Sequence, residues 1–456
     1  MMRQVDFSKG RILNDIISTA VPMLFAQLVN LLYSIIDRVY IGRIEGIGVA
    51  ALGGVGLCFP IISIIGAFTY LYAGGGAPLF AMERGKKNAD EAGQVMSVTF
   101  TLEVLTSILI IAVGLIFGRN ILRVFGASDT ALLYALPYLR IYLLGTVFAM
   151  VSTGMNPFIN AQGYPRISMT AVVTGALCNI ALDPVFIFIF HWGVRGAAAA
   201  TVLSQAISAS ITFSFLKSGK SEERLSFIAP ALLVKRLKLV GDIIGLGSAS
   251  FIMMVTNSLV QISCNRVLAD LGGDIYVSVM TIISSVRQIL EVPLAAITDG
   301  AAPVISYNYG AGRRGNVKKA IRVMSAMAIT YTLLTWLTVV FLPSFFIGIF
   351  SSDRELFAVA RPALHIYFFA FVFMALQYCG QTTFKALNRK GHAIFFSIFR
   401  KAVIVVPLTY LLSYGFRLGT NGVFIAEPVS NVIGGTACFV TMCLTVYRRL
   451  LTEKKP

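Results

Sequence analysis

"CNIALDPVFIFIF", residues 178–190, sets an aspartate and a proline side by side in a run that is otherwise apolar apart from Asn179. Asp183 is costly in hydrocarbon, about 2.5–3.5 kcal/mol at the centre of a bilayer helix even on the lenient insertion scale. Pro184 cannot donate to the carbonyl of Ile180, so a helix here loses a hydrogen bond beside the carboxylate. What the pair is for depends on its solvent, and the flanking sequence supplies that. The chain of 456 residues is 57% hydrophobic and only 13% charged, with a mean hydropathy of +0.79. Soluble domains carry about 25% charged residues. A bilayer core takes about 20 apolar residues per helix. On that scale twelve runs stand out, near 14–40, 47–75, 93–118, 133–156, 168–190, 197–216, 241–264, 275–302, 320–343, 360–384, 394–414 and 422–446. They are too long and too continuous for barrel strands, which need about 9–11 alternating residues. The expected fold is an all-α polytopic membrane protein with twelve transmembrane helices.

The net charge of +17 would suggest nucleic acid in a soluble protein, but its distribution says otherwise. Most of the 38 Lys and Arg residues fall in connections on the side of the N-terminus, including Arg84, Lys86 and Lys87, Lys217 to Lys238, Arg313 to Arg322, and Arg448 and Arg449. The opposite side holds isolated arginines such as Arg119, Arg195 and Arg417. Basic connections stay in the cytoplasm, so both termini are expected there. The opening MMRQVDFSKGRILNDIIST is too charged before its first apolar run for a cleaved signal peptide. Six cysteines without a CxxC, and three isolated histidines, make neither a disulfide framework nor a metal site. No cofactor is expected.

The stretch 217–240, KSGKSEERLSFIAPALLVKRLKLV, divides the spans into six and six. Its SGKS resembles the end of a phosphate-binding loop, but Ser214 stands where that motif needs its first glycine. It reads as a solvated basic linker between an N-terminal lobe, 1–216, and a C-terminal lobe, 241–456. The lobes look related. Val95-Met96-Ser97 recurs as Val323-Met324-Ser325, Ala77-Pro78 as Ala302-Pro303, and Ala135-x-Pro-x-Leu-x-Ile-Tyr142 as Ala360-x-Pro-x-Leu-x-Ile-Tyr367. An even number of spans per lobe makes this a parallel repeat, the kind that cradles a substrate path in transporters.

Polar residues inside the spans fall in stripes. Gln27, Asn30, Ser34 and Asp37 share one face of the first span, and Thr201, Ser204, Gln205, Ser208 and Thr212 one face of the sixth. Thr281, Ser284, Gln288, Glu291, Thr298 and Asp299 do the same in the eighth. For the hydroxyls two readings stand, hydrogen-bond glue between helices or a polar pathway. Carboxylates at bilayer depth usually face a cavity or an ion path, which singles out Asp37 and Asp183. Glu103, Glu291, Asp299 and Glu427 stay open between the two readings, because Arg287 or a helix end can neutralise some of them. Asn179 lies four residues before Asp183 and shares its face. With the carbonyl freed by Pro184 they form a nest of oxygens suited to a proton or a small cation.

Asp37 at the end of the first span, "NIALDP" in the fifth, "NAQGYP" (160–165) and "APVISYNYGAG" (302–312) together resemble the multidrug and toxic compound extrusion (MATE) transporters along the whole chain. The resemblance implies two six-helix lobes in a V, a monomer of the plasma or inner membrane, and export of organic cations and drugs by alternating access. It also implies ion coupling at Asp37, Asn179, Asp183 and Thr201. Of the stripe residues, Gln27, Asn30, Ser34, Gln205, Gln288 and Glu291 are the pathway candidates, and membrane lipids are expected partners. The sodium-coupled branch carries carboxylates in its seventh and tenth spans. Here those spans read "MMVTNSLVQISCN" and "HIYFFAFVFMALQYCG", which points to protons, with sodium open at the N-terminal cluster. A lipid-linked oligosaccharide flippase of the same superfamily is the alternative. It would want Arg or Lys along the cavity, and Arg140, Arg287, Arg400 and Lys401 lie within spans. An enzyme is not expected, since neither GxSxG nor HExxH occurs.

Overall fold

The computed structural model describes residues 4–218, 221, 223–226, 228, 233–350 and 353–452. Among them the chain is helical, with no strand. In hydrocarbon each backbone N–H and C=O has to be satisfied inside its own segment, which a helix achieves. In chain order the spans are α1 (Ile12–Gly42), α2 (Ala50–Gly85), α3 (Ala89–Val124), and the pair α4 (Asp129–Leu144) and α5 (Thr146–Ala161), bent by 56°. Next come α6 (Pro165–Ile189), α7 (Val194–Lys217), α8 (Val234–Gly273), α9 (Ile275–Gly310) and α10 (Arg314–Phe341). The pair α11 (Arg354–Phe368) and α12 (Phe371–Ala386), bent by 44°, precedes α13 (Lys390–Gly415) and α14 (Thr420–Tyr447). The twelve runs of the sequence correspond to these ten single helices and two bent pairs.

Local chemistry sets the boundaries. Asn88, Ser128 and Asp353 cap α3, α4 and α11 by accepting backbone N–H bonds of the first turn. Gly193 and Gly419 take positive φ of 53° and 58° just before α7 and α14, a conformation that favours glycine, at matching places in the two halves. Large apolar side chains such as Leu109 and Ile116 on α3 and Phe341 on α10 remain exposed, a surface suited to lipid.

The chain forms two compact units. One gathers Met1–Asp6 and Val21–Gly247, the other Phe7–Ala20 and Ser248–Pro456. This differs from a linear division at 217–240, because the leading turns of α1 and of α8 each join the other half's unit. Close backbone crossings account for the exchange. In the first unit a Cβ on Gly247 would lie 1.6 Å from the carbonyl oxygen of Leu71, and one on Gly75 1.9 Å from that of Ile243. In the second, a Cβ on Gly300 would lie 2.7 Å from Cα of Ala20. Gly75 and Gly300 each stand two residues before the repeated Ala-Pro pair, so the sequence repeat is also a repeat of packing. In the second unit Phe7 packs on the Tyr307 ring at 5.9 Å.

The connection after α7 is not simply a solvated linker. Glu223 is buried and pairs with Arg84 at 2.9 Å, and Ser221 Oγ donates to Gln162 Oε1 at 2.7 Å. Leu225 is buried with them. A buried guanidinium needs a carboxylate, and Glu223 of the connection supplies one. Gly219 and Lys220 of the SGKS stretch lie outside the described residues.

Candidate coupling site

The first unit places Asp37, Asn179, Asp183 and Thr201 together. Past Pro184 the backbone of α6 widens into a π turn over Val185–Ile189, in which Phe190 N–H donates to Val185 O at 2.9 Å. Such wide turns inside helices occur often at functional sites. Gly196 opens α7 against this turn, since a Cβ there would lie 2.6 Å from the carbonyl oxygen of Phe186. That close approach brings α7 alongside the face of α6 carrying Asn179 and Asp183.

Asp183 is fully buried, Asn179 and Thr201 nearly so. Asn179 Nδ2 is 3.4 Å from Asp183 Oδ1 and 3.4 Å from Thr201 Oγ1, and Thr201 donates to Ala197 O at 3.0 Å. Asp37, half-buried on α1, brings its carboxyl group within hydrogen-bonding reach of Asp183. Asp37 Oδ1, Asp183 Oδ2 and Asn179 Oδ1 are buried with no donor among the described residues. Three acceptors without a donor are an arrangement that positive charge, as a shared proton or a small cation, can satisfy. Arg38 is an electrostatic neighbour of Asp37, with its guanidinium over the Phe59 ring at 4.5 Å.

Aromatic hydroxyls border the site. Tyr33 and Tyr138 are electrostatic neighbours of Asp37, and Tyr138 stacks on Tyr142 at 6.3 Å. Tyr142 faces Gln205, whose Oε1 is buried without a donor. Tyr33 and Tyr138 carried no signal in the sequence beyond their position in apolar runs, and Tyr142 only its place in the repeat that ends at Tyr367. Of the other pathway candidates, Gln27 is half-buried, and Asn30 is exposed while its carbonyl accepts from the Ser34 hydroxyl at 3.0 Å. Gln288 and Glu291 belong to the second unit, Gln288 exposed and Glu291 paired with Arg287. Asp299 is exposed. Glu103 is buried away from these groups in a notch at Gly154, where a Cβ would lie 1.9 Å from Oε1. Among the described residues no three His, Cys, Asp or Glu side chains form a metal cluster.

The sequence pattern of the MatE family matches residues 22–185 and 249–411, one match in each half. Multidrug export protein MepA of Staphylococcus haemolyticus (strain JCSC1435) is 25% identical over 453 residues, covering 98% of this chain and 97% of that relative. MepA of Staphylococcus aureus (strain MSSA476) is 23% identical over 442 residues, covering 97% and 95%. Among solved structures, the outward-facing conformation of a multidrug resistance MATE family transporter of the MOP superfamily superposes with a TM-score of 0.90 at 21% identity, over 99% of both chains. A MOP superfamily transporter from Pyrococcus furiosus, described as having a binding pocket of reverse polarity, gives a TM-score of 0.90 at 22% identity, also over 99% of both. With the family pattern falling on both halves of an all-helical, repeat-built membrane protein, this chain belongs to the MatE family of MATE transporters.

Proposed function

We propose that the protein is a secondary active multidrug exporter, moving organic cations by alternating access against an inward proton flow. The observation that carries the reading is the facing pair Asp37 and Asp183, with their donorless buried oxygens. Two carboxylates this close repel when both are ionised, so in the absence of another cation they hold a proton between them. A cationic drug that enters the first unit supplies the same positive charge and expels the proton. Competition for one anionic site is what makes the two fluxes exchange. Asn179 and Thr201 hold the Asp183 carboxylate in place, and the π turn after Pro184 gives α6 a second arrangement at low cost. On this reading the protein works as a monomer in the cell membrane, with both termini in the cytoplasm.

The flippase reading draws less support. Arg400 and Lys401 are buried against Glu427, which already balances much of the charge a lipid headgroup would have to attract. The test is ethidium transport in proteoliposomes under an imposed proton gradient. Asp183→Asn keeps size and polarity but cannot titrate. It is expected to reach the membrane folded and lose proton-driven export, as is Asp37→Asn. Wild-type export by a well-expressed Asp183→Asn protein would leave the residue as interhelical glue.

A further inference from the structure

The second unit holds a buried ion network that the coupling site does not use. Arg400 and Lys401 are neighbours in a π turn of α13, Phe399–Val405. Consecutive residues of an α-helix diverge. Here the wider turn, and a gap at Gly434 where a Cβ would lie 2.8 Å from Arg400 Cγ, let both reach Glu427 on α14. With Arg287 of α9 they converge on a single oxygen. Glu427 Oε1 lies 2.8 Å from Arg287 Nη1, 2.8 Å from Lys401 Nζ and 3.2 Å from Arg400 Nη1. Glu291 pairs with Arg287, Tyr367 OH accepts from Arg287 at 2.8 Å, and Asn431 accepts from Arg400. Cys264 of α8 and Tyr378 of α12 face the network, and Cys438 of α14 faces Arg400.

Three cations and two carboxylates leave one surplus positive charge. Lys401 is 2% exposed and stands about 16 Å along α13, near its middle. A surplus charge at that depth is costly, and it can be removed by admitting an anion or by shedding a proton. An anion would meet Glu427 Oε2, which is buried without a donor among the described residues. Guanidinium groups do not deprotonate in proteins, whereas a buried lysine does. Loss of a proton from Tyr367 or Cys264 would bury a new anion. Loss from Lys401 removes a charge.

We propose that Lys401 is a proton-exchange site of the second unit. With the network assembled it gives its Nζ proton to water, leaving Arg287 and Arg400 to balance Glu291 and Glu427. It takes a proton back when Arg287 or Arg400 is drawn away from it, because the Glu427 carboxylate beside it favours the charged form. The site rests on the second unit alone and stands whether or not Asp183 couples transport.

Thermal unfolding of the full-length protein in detergent, from about pH 6 to about pH 9, tests it. Wild type is compared with Lys401→Arg, which cannot shed its charge, and Lys401→Met, which has none, each with and without Asp183→Asn. As pH rises, the wild type is expected to gain on Lys401→Arg by about 1–2 °C per pH unit, because only the wild type loses the surplus charge. Its deficit against Lys401→Met should shrink over the same range, and both trends should persist with Asp183→Asn. A gap that stays constant with pH makes Lys401 a permanently charged partner of Glu427 and overturns the proposal. A trend abolished by Asp183→Asn places the titrating group in the first unit and overturns it too. If Lys401→Arg does not fold, the Lys401→Met comparison decides alone.

Discussion

Replacing Gly247 by alanine strikes the crossing that ties the start of α8 to α2. The added Cβ would lie 1.6 Å from Leu71 O, 2.6 Å from Leu71 C and 3.2 Å from the backbone nitrogen of Gly75. Ordinary contact begins at 3.4 Å, so the two helices must part by about 1.8 Å, with backbone rather than a mobile side chain in the way. Overpacking of this kind costs about 1–3 kcal/mol. The upper end applies here, because neither obstructing atom can rotate aside. Alanine also favours the helix over glycine by about 1 kcal/mol, leaving a net loss of about 1–2 kcal/mol. For a chain of this size that lowers the unfolding midpoint by about 1–2 °C. Gly93→Ala on α3 is the control, since nothing lies within 4 Å of its added Cβ and only the propensity gain remains. Unfolding is read with a dye that reports newly exposed thiols, as Cys58, Cys264, Cys379 and Cys438 are buried and free. Gly75→Ala should behave like Gly247→Ala, and the double variant should lose less than the sum, because one separation relieves both clashes. A Gly247→Ala protein as stable as Gly93→Ala would refute the backbone crossing.

Two further outcomes concern transport and topology. A proton gradient alone should drive export: one proton entering for each monovalent cation leaving moves no net charge, so each pH unit supplies about 1.4 kcal/mol, enough to hold a tenfold gradient of the drug. Export driven by sodium with the pH gradient collapsed, and not by protons, would reverse the ion assignment. For topology, single cysteines at exposed Arg224 and Arg417, in a background without the native cysteines, should react with an impermeant thiol reagent from opposite sides of the membrane. Labelling of both from outside would overturn the cytoplasmic placement of the termini. Ser221 is unsuited to this test because it is buried against Gln162.

The sequence by itself determined that the chain is a bundle of membrane-spanning helices built from a repeat. Bilayer thickness imposes a run length that composition reveals directly, and Ala77-Pro78 against Ala302-Pro303 marks the two halves. It also singled out Asp37 and Asp183, because a carboxylate amid apolar residues is expensive enough to stand out. Asn179 could be added from spacing alone, as residues four apart share a helix face. Tertiary structure decided which units the leading turns of α1 and α8 join, since Gly75, Gly247 and Gly300 are only glycines until a second backbone arrives against them. It also turned Glu223 from a linker charge into the buried partner of Arg84. In the sequence Arg287, Arg400, Lys401 and Glu427 were four separate anomalies on three spans. Their meeting on one carboxylate oxygen depends on how α9, α13 and α14 pack, and helical periodicity carries no information about contacts between helices distant in the chain.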